Sequence, residues 1–337
     1  MNLKPLLKRG ALVAAANWPT ICIQFAAETM FQALLAVPIV GAAILAAALL
    51  GGDTGELLRG SLRDAFTTIA GTLMSEPVAL VAFIASFAIV LLGGSVLMFL
   101  VKGGTVDVLL AAEATAGPIE HDPLTYENVV QEAACFTLDR FLAGCRRLFR
   151  RYLTLGLALM LVYAVTGGAY ATFVVYCYRA VAGRLLIIEW TVIAAVAAAV
   201  LVGWITFVNW LYLLLQIVVA TEDMTLTAAI ATMARFIRSE FRELAGIFGV
   251  IFGVIVASTL ASALAWSGVG LIAFVPLVGL AVFPLQIGAL VLRGIVFEYI
   301  GLSALSTYAA LYHRHAARRG GTVSTAATGL RHARGEA

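Results

Sequence analysis

Apolar residues in this chain occur in blocks of about 20 residues or more, the length that a helix needs to cross a bilayer. Inside hydrocarbon every backbone N–H and C=O group must find a partner within the protein, so only helices and closed β-barrels can span a membrane. The blocks lack the short polar and apolar alternation of a barrel strand. The sequence therefore predicts an all-α fold, a polytopic integral membrane helix bundle.

The charged fraction supports this prediction, because it is 12%, about half of what a soluble domain carries. We expect residues 1–312 to form a single transmembrane helical domain. Residues 269–287 contain two prolines and are expected to form a re-entrant or interfacial segment. Residues 313–337 are expected to be a basic, disordered cytoplasmic tail. The predicted spans are 18–50, 77–101, 152–176, 189–220, 245–266 and 288–312.

Basic residues are distributed unevenly between the two sides that these spans define. With both termini in the cytoplasm, most of the 22 Lys and Arg residues fall in the N-terminus, two inner loops and the tail. Arg59, Arg63, Arg179 and Arg184 fall outside, and Arg293 lies within an apolar stretch. An excess of Lys and Arg in cytoplasmic loops is the positive-inside rule, so the pattern favours this orientation.

The two inner loops end in similar sequences, residues 137–153 and 225–241. Apolar residues recur in both at helical spacing, with arginines off that stripe, which is typical of amphipathic helices in a headgroup layer. With the basic N-terminus they suggest three tandem units, although ordinary basic loops between spans are the alternative. Anionic-lipid contacts are predicted for Arg146, Arg147, Arg150, Arg151, Arg235, Arg238 and Arg242.

Polar side chains inside the predicted spans are the second candidate site, because they are expensive in hydrocarbon. Gln24, Glu28 and Gln32 recur every four residues and would share one helix face. Arg293 and Glu298 lie in or beside the last span, and an ion pair of Glu28 with Arg293 would neutralise both charges. The functional interpretation is a polar cavity for a lipid headgroup or an ion. The alternatives are a structural ion pair, or charges that reach the interface through long side chains.

Small residues recur every four positions along the fifth predicted span, which predicts a helix-packing seam. Its partner is either another helix of this chain or a second copy. The seam consists of Gly249, Gly253, Ala257, Ala261 and Ala265.

No phosphate-binding, dinucleotide or metalloprotease motif occurs in the sequence, and no catalytic residues, cofactor, metal or nucleic-acid partner are predicted.

Four short sequences suggest a family. Gly103–Gly104 follows the second span, ArgArgLeuPheArgArg occupies 146–151, AlaThrGluAspMet occupies 220–224, and ThrTyrAlaAlaLeuTyrHisArg occupies 307–314. Together they resemble the six-helix membrane domain fused to some bacterial glycerophosphodiester phosphodiesterases, which also occurs as stand-alone proteins. The resemblance implies a multi-pass protein of the bacterial cytoplasmic (inner) membrane. It implies no catalysis, because the soluble phosphodiesterase barrel has no counterpart in this sequence.

The preferred hypothesis is a non-enzymatic inner-membrane protein, either a lipid-interacting scaffold or a subunit of a membrane complex. Its partners would be membrane lipids, predominantly anionic, with other membrane proteins or a second copy as further partners. The alternative is a transporter or channel-like permease subunit with a polar site near Glu28 and Arg293. A membrane enzyme is the third and least favoured hypothesis, because no nucleophile, base and metal can be grouped from the sequence.

Overall fold

A computed structural model describes residues 3–49, 71–72, 74–120, 125–181, 187–273 and 278–334. The part of the chain that it describes contains helices and no strand, which confirms the all-α prediction. The helices are α1 (Leu3–Ala16), α2 (Trp18–Leu49), α3 (Pro77–Thr115), α4 (Tyr126–Ala133), α5 (Leu138–Val181), α6 (Ile187–Glu222), α7 (Leu226–Ala273) and α8 (Val278–Arg334).

Within the described residues, six helices are long and apolar enough to cross a membrane, namely α2, α3, α5, α6, α7 and α8. They contain the six predicted spans, and the chain is a multi-pass membrane protein. Most of these helices extend well beyond the predicted spans: α5 has 44 residues and α7 has 48. At 1.5 Å per residue, such helices are about twice as long as the roughly 30 Å hydrocarbon core is thick.

The residues expected to form one domain belong to two compact units, 23–101 in one and 1–22 with 102–337 in the other. In the smaller unit, Ala42 and Ala79 are buried with Phe83 beside them. The ring of Phe31 packs so closely on Gly94 that a β-carbon there would lie 2.1 Å from its Cδ2 atom. Small residues in α2 and α3 therefore permit close packing within this unit.

The larger unit has its buried residues at one end of its long helices. We call this the packed layer, and it comprises α1 with residues 102–120, 141–156, 212–222, 229–247 and 302–318. Aligned positions of the two similar sequences are buried alike: Leu148 and Phe236 are both buried, as are Cys145 and Met233. The shared burial pattern supports the proposed relationship between these two segments.

The other end of these helices is exposed and apolar. We call residues 157–177, 190–210, 249–267 and 284–297 the exposed arms. In α5 and α6, no residue of the most apolar stretch is buried within the protein. Apolar side chains have no hydrophobic reason to pack on one another in hydrocarbon, so this exposure is compatible with a lipid environment.

The predicted amphipathic surface helices are continuous with the spans that follow them. α5 runs through residues 138–181 as one helix, so its basic part is the first section of the span helix and not a separate element. α7 has one non-helical residue, Glu240, with φ −119° and ψ 25°, inside its basic part between Arg238 and Arg242. Burial accompanies this continuity in α5, where Phe141, Leu148 and Tyr152 are buried. In α7, Met233 and Phe236 are buried, whereas Ile230 and Phe241 are exposed.

The C-terminal predictions also differ from the structure. Residues 269–273 end α7 and residues 278–287 begin α8, while 274–277 lie outside the described residues; re-entry into the membrane stays a prediction. The tail that was expected to be disordered from residue 313 is helical as far as Arg334. Its first turns are held against α7, because His315 and Arg318 both contact Glu240. Residues 335–337 lie outside the described residues.

Candidate functional site

Arg9 of α1 binds the C-terminal end of α3. Its Nε donates to Glu113 Oε1 at 2.6 Å, and its Nη1 donates to Glu120 Oε2 at 3.0 Å. The same guanidinium donates to the carbonyl oxygens of Glu113, Ala116 and Gly117 at 2.8–3.1 Å. Burial lowers the pKa of Arg9, but the two carboxylates outweigh burial and raise the pKa above its ordinary value. From the sequence, Arg9 only adds to the positive charge on the inner side of the membrane. Its partners are about a hundred residues away in the chain, so no local pattern identifies them.

Three of the seven predicted lipid-binding arginines have partners in the protein. Arg147 of α5 pairs with Asp107 of α3 at 2.5 Å. Arg151 pairs with Asp223 at the end of α6. Arg235 donates to the hydroxyl oxygen of Thr232 at 3.1 Å and to a backbone carbonyl one turn back. The ion pairs of Arg147 and Arg151 join helices of the packed layer and reduce the charge available to a ligand. The bonds of Arg235 stay within α7 and leave its charge in place.

The other four arginines, Arg146, Arg150, Arg238 and Arg242, form what we call the arginine rim. All four are exposed, and none makes an ion pair with another described residue. They occur as two pairs at i, i+4 spacing, one on α5 and one on α7. The α5 pair shares a helix face, and the α7 pair lies on either side of the kink at Glu240. The arginine rim lies close to the boundary between the packed layer and the exposed arms.

A buried polar cluster lies beside the α7 part of the rim. Glu240, which is 7% exposed, accepts from Arg318 at 3.1 Å and lies 3.4 Å from Nδ1 of His315. Phe236 packs edge-on against Tyr312 with ring centroids 5.1 Å apart. The hydroxyl of Tyr312 bonds to Glu222 at the end of α6. The cluster fixes α8 against α6 and α7 where α7 is kinked.

The predicted polar face of α2 varies in burial along the helix. Gln24 is 3% exposed, Glu28 is half-buried and Gln32 is exposed. These residues belong to the smaller unit, whereas Arg293 belongs to the larger one. The ion pair of Glu28 with Arg293 stays a prediction.

Arg293 lines a groove of about 400 Å³ between α7 and α8. Its guanidinium carbon lies 5.6 Å from the ring centroid of Phe297, one turn along the same helix, which is cation–π geometry. Ser258 and Ser262 line the groove from α7. Glu298, the other predicted polar residue of this region, is half-buried on α8.

The predicted small-residue seam is exposed along α7. A β-carbon built at Gly249 or Gly253 has no other atom within 4 Å, and Ala257 is also exposed. Ala261 and Ala265 line the Arg293 groove, so this end of the seam faces α8. The seam therefore has no close-packed helix from the described residues at its first two positions.

A second groove, of about 550 Å³, lies between α6 and α7. Its wall is a run of aromatic rings: Phe207, Trp210, Phe248 and Phe252 have successive centroid distances of 5.9, 5.9 and 5.8 Å. The Trp210 indole N–H donates to the hydroxyl of Tyr308 at 3.1 Å, which fixes the ring. Sequence reasoning did not predict this groove, since aromatic residues in a span are ordinary.

The described residues contain no group of three or more His, Cys, Asp or Glu side chains that could hold a metal ion. Comparison of the chain with protein-family models, with curated proteins and with solved structures found no match.

Proposed function

We propose that this chain is a non-enzymatic protein of the bacterial cytoplasmic (inner) membrane that binds anionic lipid headgroups through its arginine rim and serves as a lipid-interacting scaffold. The observation that supports this most strongly is that some of these arginines pair with carboxylates and others do not. Arg147 and Arg151 are neutralised by Asp107 and Asp223. Arg146, Arg150, Arg238 and Arg242 retain their charge at the surface.

The position of the rim supports the same proposal. α5 and α7 are each about twice the length needed to cross hydrocarbon, and most of their large exposed apolar side chains lie in the exposed arms. A bilayer around the exposed arms would place its headgroups near the first charged residues of α5 and α7. Those residues include Arg150 and Arg242, which suit contact with lipid phosphates.

The orientation follows from charge. The rim, Arg9 and Arg318 all belong to the packed layer or its edge, so the positive-inside rule favours a cytoplasmic position for this layer. Both described ends of the chain belong to the same unit as the packed layer. The resemblance to the membrane domain of glycerophosphodiester phosphodiesterases and the permease alternative stay predictions.

Replacement of all four rim arginines by glutamine should reduce retention of anionic phospholipid. Each arginine near an anionic surface contributes about 1 kcal/mol, so four together should change retention by orders of magnitude. The measurement is native mass spectrometry of the protein extracted from vesicles that contain equal amounts of phosphatidylglycerol and phosphatidylcholine.

Two controls accompany this variant. Arg179→Gln removes an exposed charge from the opposite end of α5 and should leave retention unchanged. Lysine at the four rim positions keeps the charge and should restore most of the retention. Equal retention of phosphatidylglycerol by the wild type and the four-glutamine variant would contradict the proposal.

A further inference from the structure

The groove between α6 and α7 lies next to one half of the arginine rim. Phe241 and Ala245 line the groove from α7. Arg242 follows Phe241 directly and precedes Ala245 by one turn, and Arg238 precedes Phe241 by one turn. An apolar groove therefore continues into a pair of exposed positive charges.

The groove suits an apolar occupant. It is lined mainly by aromatic and small side chains, and its volume of about 550 Å³ is within the roughly 300–1,000 Å³ range of ligand pockets. The polar atoms of its side chains have partners, because the Thr206 hydroxyl donates to the Val202 carbonyl at 2.8 Å and Trp210 donates to Tyr308. A hydrocarbon chain would occupy the groove without leaving a buried polar group unpaired.

The charges at its end suit an anion. The nearest carboxylates on α7 are Glu240 and Glu243, and Glu240 pairs with Arg318 of α8. Arg238 and Arg242 have no such partner among the described residues. A phosphate group could therefore bind both guanidinium groups with charge-assisted hydrogen bonds.

We propose that one anionic glycerophospholipid binds here, with an acyl chain in the α6–α7 groove and its headgroup phosphate on Arg238 and Arg242. The proposal rests on the proposed function and makes it specific, because it assigns one of the two arginine pairs to a defined lipid site. Charge complementarity and the apolar lining together select an anionic lipid over a zwitterionic lipid or a soluble anion.

Trp210 reports on occupancy of the groove. In a variant that retains Trp210 as its single tryptophan, with the others replaced by phenylalanine, dibrominated acyl chains should quench its fluorescence on contact. Dibrominated phosphatidylglycerol should bind more tightly than dibrominated phosphatidylcholine. We expect a preference of about 30-fold, equivalent to about 2 kcal/mol for two arginines at about 1 kcal/mol each.

Three further variants test the geometry in the same background. Gly203 lines the groove and has open space around its α-carbon, so Gly203→Phe should fill the groove and reduce quenching by both lipids. Gly249→Phe places the same ring on an exposed part of α7 outside the groove and should leave quenching unchanged. Arg238→Gln with Arg242→Gln should abolish the preference for phosphatidylglycerol.

Substitutions of the arginine pair on α5 distinguish this inference from the proposed function. Arg146→Gln with Arg150→Gln should leave the preference at Trp210 intact. If both arginine pairs affect Trp210 equally, or if Gly203→Phe changes nothing, the groove site is wrong while rim-dependent lipid retention can still stand. If the four-glutamine variant retains phosphatidylglycerol normally, the proposed function itself is wrong.

Discussion

At the scale of single residues, arginine has two roles in this chain, and the surroundings of each side chain determine which one it has. Arg9 is 12% exposed and meets two carboxylates and three backbone carbonyls. Those carbonyls lie at or just after the C-terminus of α3, where a helix has unpaired acceptors and partial negative charge. Arg242 is exposed and has no carboxylate partner among the described residues.

Arg9→Gln should destabilise the larger unit strongly. The substitution removes the guanidinium that pairs with Glu113 and Glu120, which are 6% and 7% exposed, and breaking a buried pair costs about 3–5 kcal/mol. Thermal unfolding in detergent, followed by tryptophan fluorescence, measures the loss. Lys4→Gln is the control, because Lys4 is an exposed residue of the same helix and its loss should leave the melting temperature nearly unchanged.

At the scale of helices, α1 packs directly against the backbone of α8. A β-carbon at Gly10 would lie 2.7 Å from the amide nitrogen of Thr307 and 2.8 Å from the carbonyl oxygen of Ser303. Backbone atoms of a packed helix cannot move aside as a flexible side chain can. Glycine is therefore required in α1 for this close approach.

Gly10→Ala should destabilise the protein by about 1–3 kcal/mol through overpacking, although alanine is the better helix former. Gly253→Ala is the matched control, since a β-carbon there meets no atom within 4 Å. Unfolding of the two variants in detergent gives the comparison. A larger loss for Gly253→Ala than for Gly10→Ala would contradict the packing described for both helices.

The helices themselves could be predicted from the sequence, because lipid leaves a long apolar block no other regular structure. The ends of the helices were predicted less accurately. The segment 102–115 has too many polar residues to be assigned to a span, yet it continues α3 because Val106, Leu109 and Ala112 are buried in the packed layer. The basic segments before residues 152 and 245 were separated from their spans for the same reason.

The candidate site could be predicted only in part. The arginines of the two inner segments were identified from their periodicity, but periodicity cannot show that Arg147 meets Asp107 while Arg146 meets no carboxylate of the described chain. Such partners are distant in sequence, and the choice between them depends on how α3, α5 and α7 pack. The small-residue seam was assigned to helix packing, whereas Gly249 and Gly253 have open space beside them.

At the scale of the whole molecule, the chain comprises two compact units, and the larger one concentrates its packing at the charged ends of its helices. Its exposed arms carry large apolar side chains such as Leu161, Val200 and Leu264, which are 66%, 67% and 73% exposed. Surface of this kind is stable only in hydrocarbon or against another apolar surface. The exposed arms of the unit therefore require an apolar environment, whereas its packed layer, with its exposed charges, requires water.

Cysteine labelling can test which compartment each end faces. In a variant without native cysteines, Arg146→Cys and Arg238→Cys should react with a membrane-impermeant maleimide only after the cells are opened. Arg179→Cys, at the far end of α5, should react in intact cells. Labelling of position 146 or 238 in intact cells would reverse the orientation and remove the cytoplasmic assignment of the packed layer.

The cohesion of the packed layer has a practical consequence for purification. Its interior is apolar, but the links between its helices include ion pairs of Arg9, Arg151 and Glu240, which respond to acid and ionic strength. Acid or high ionic strength should therefore loosen the packed layer even when detergent covers the exposed arms, so buffer and detergent must be chosen separately for the two ends.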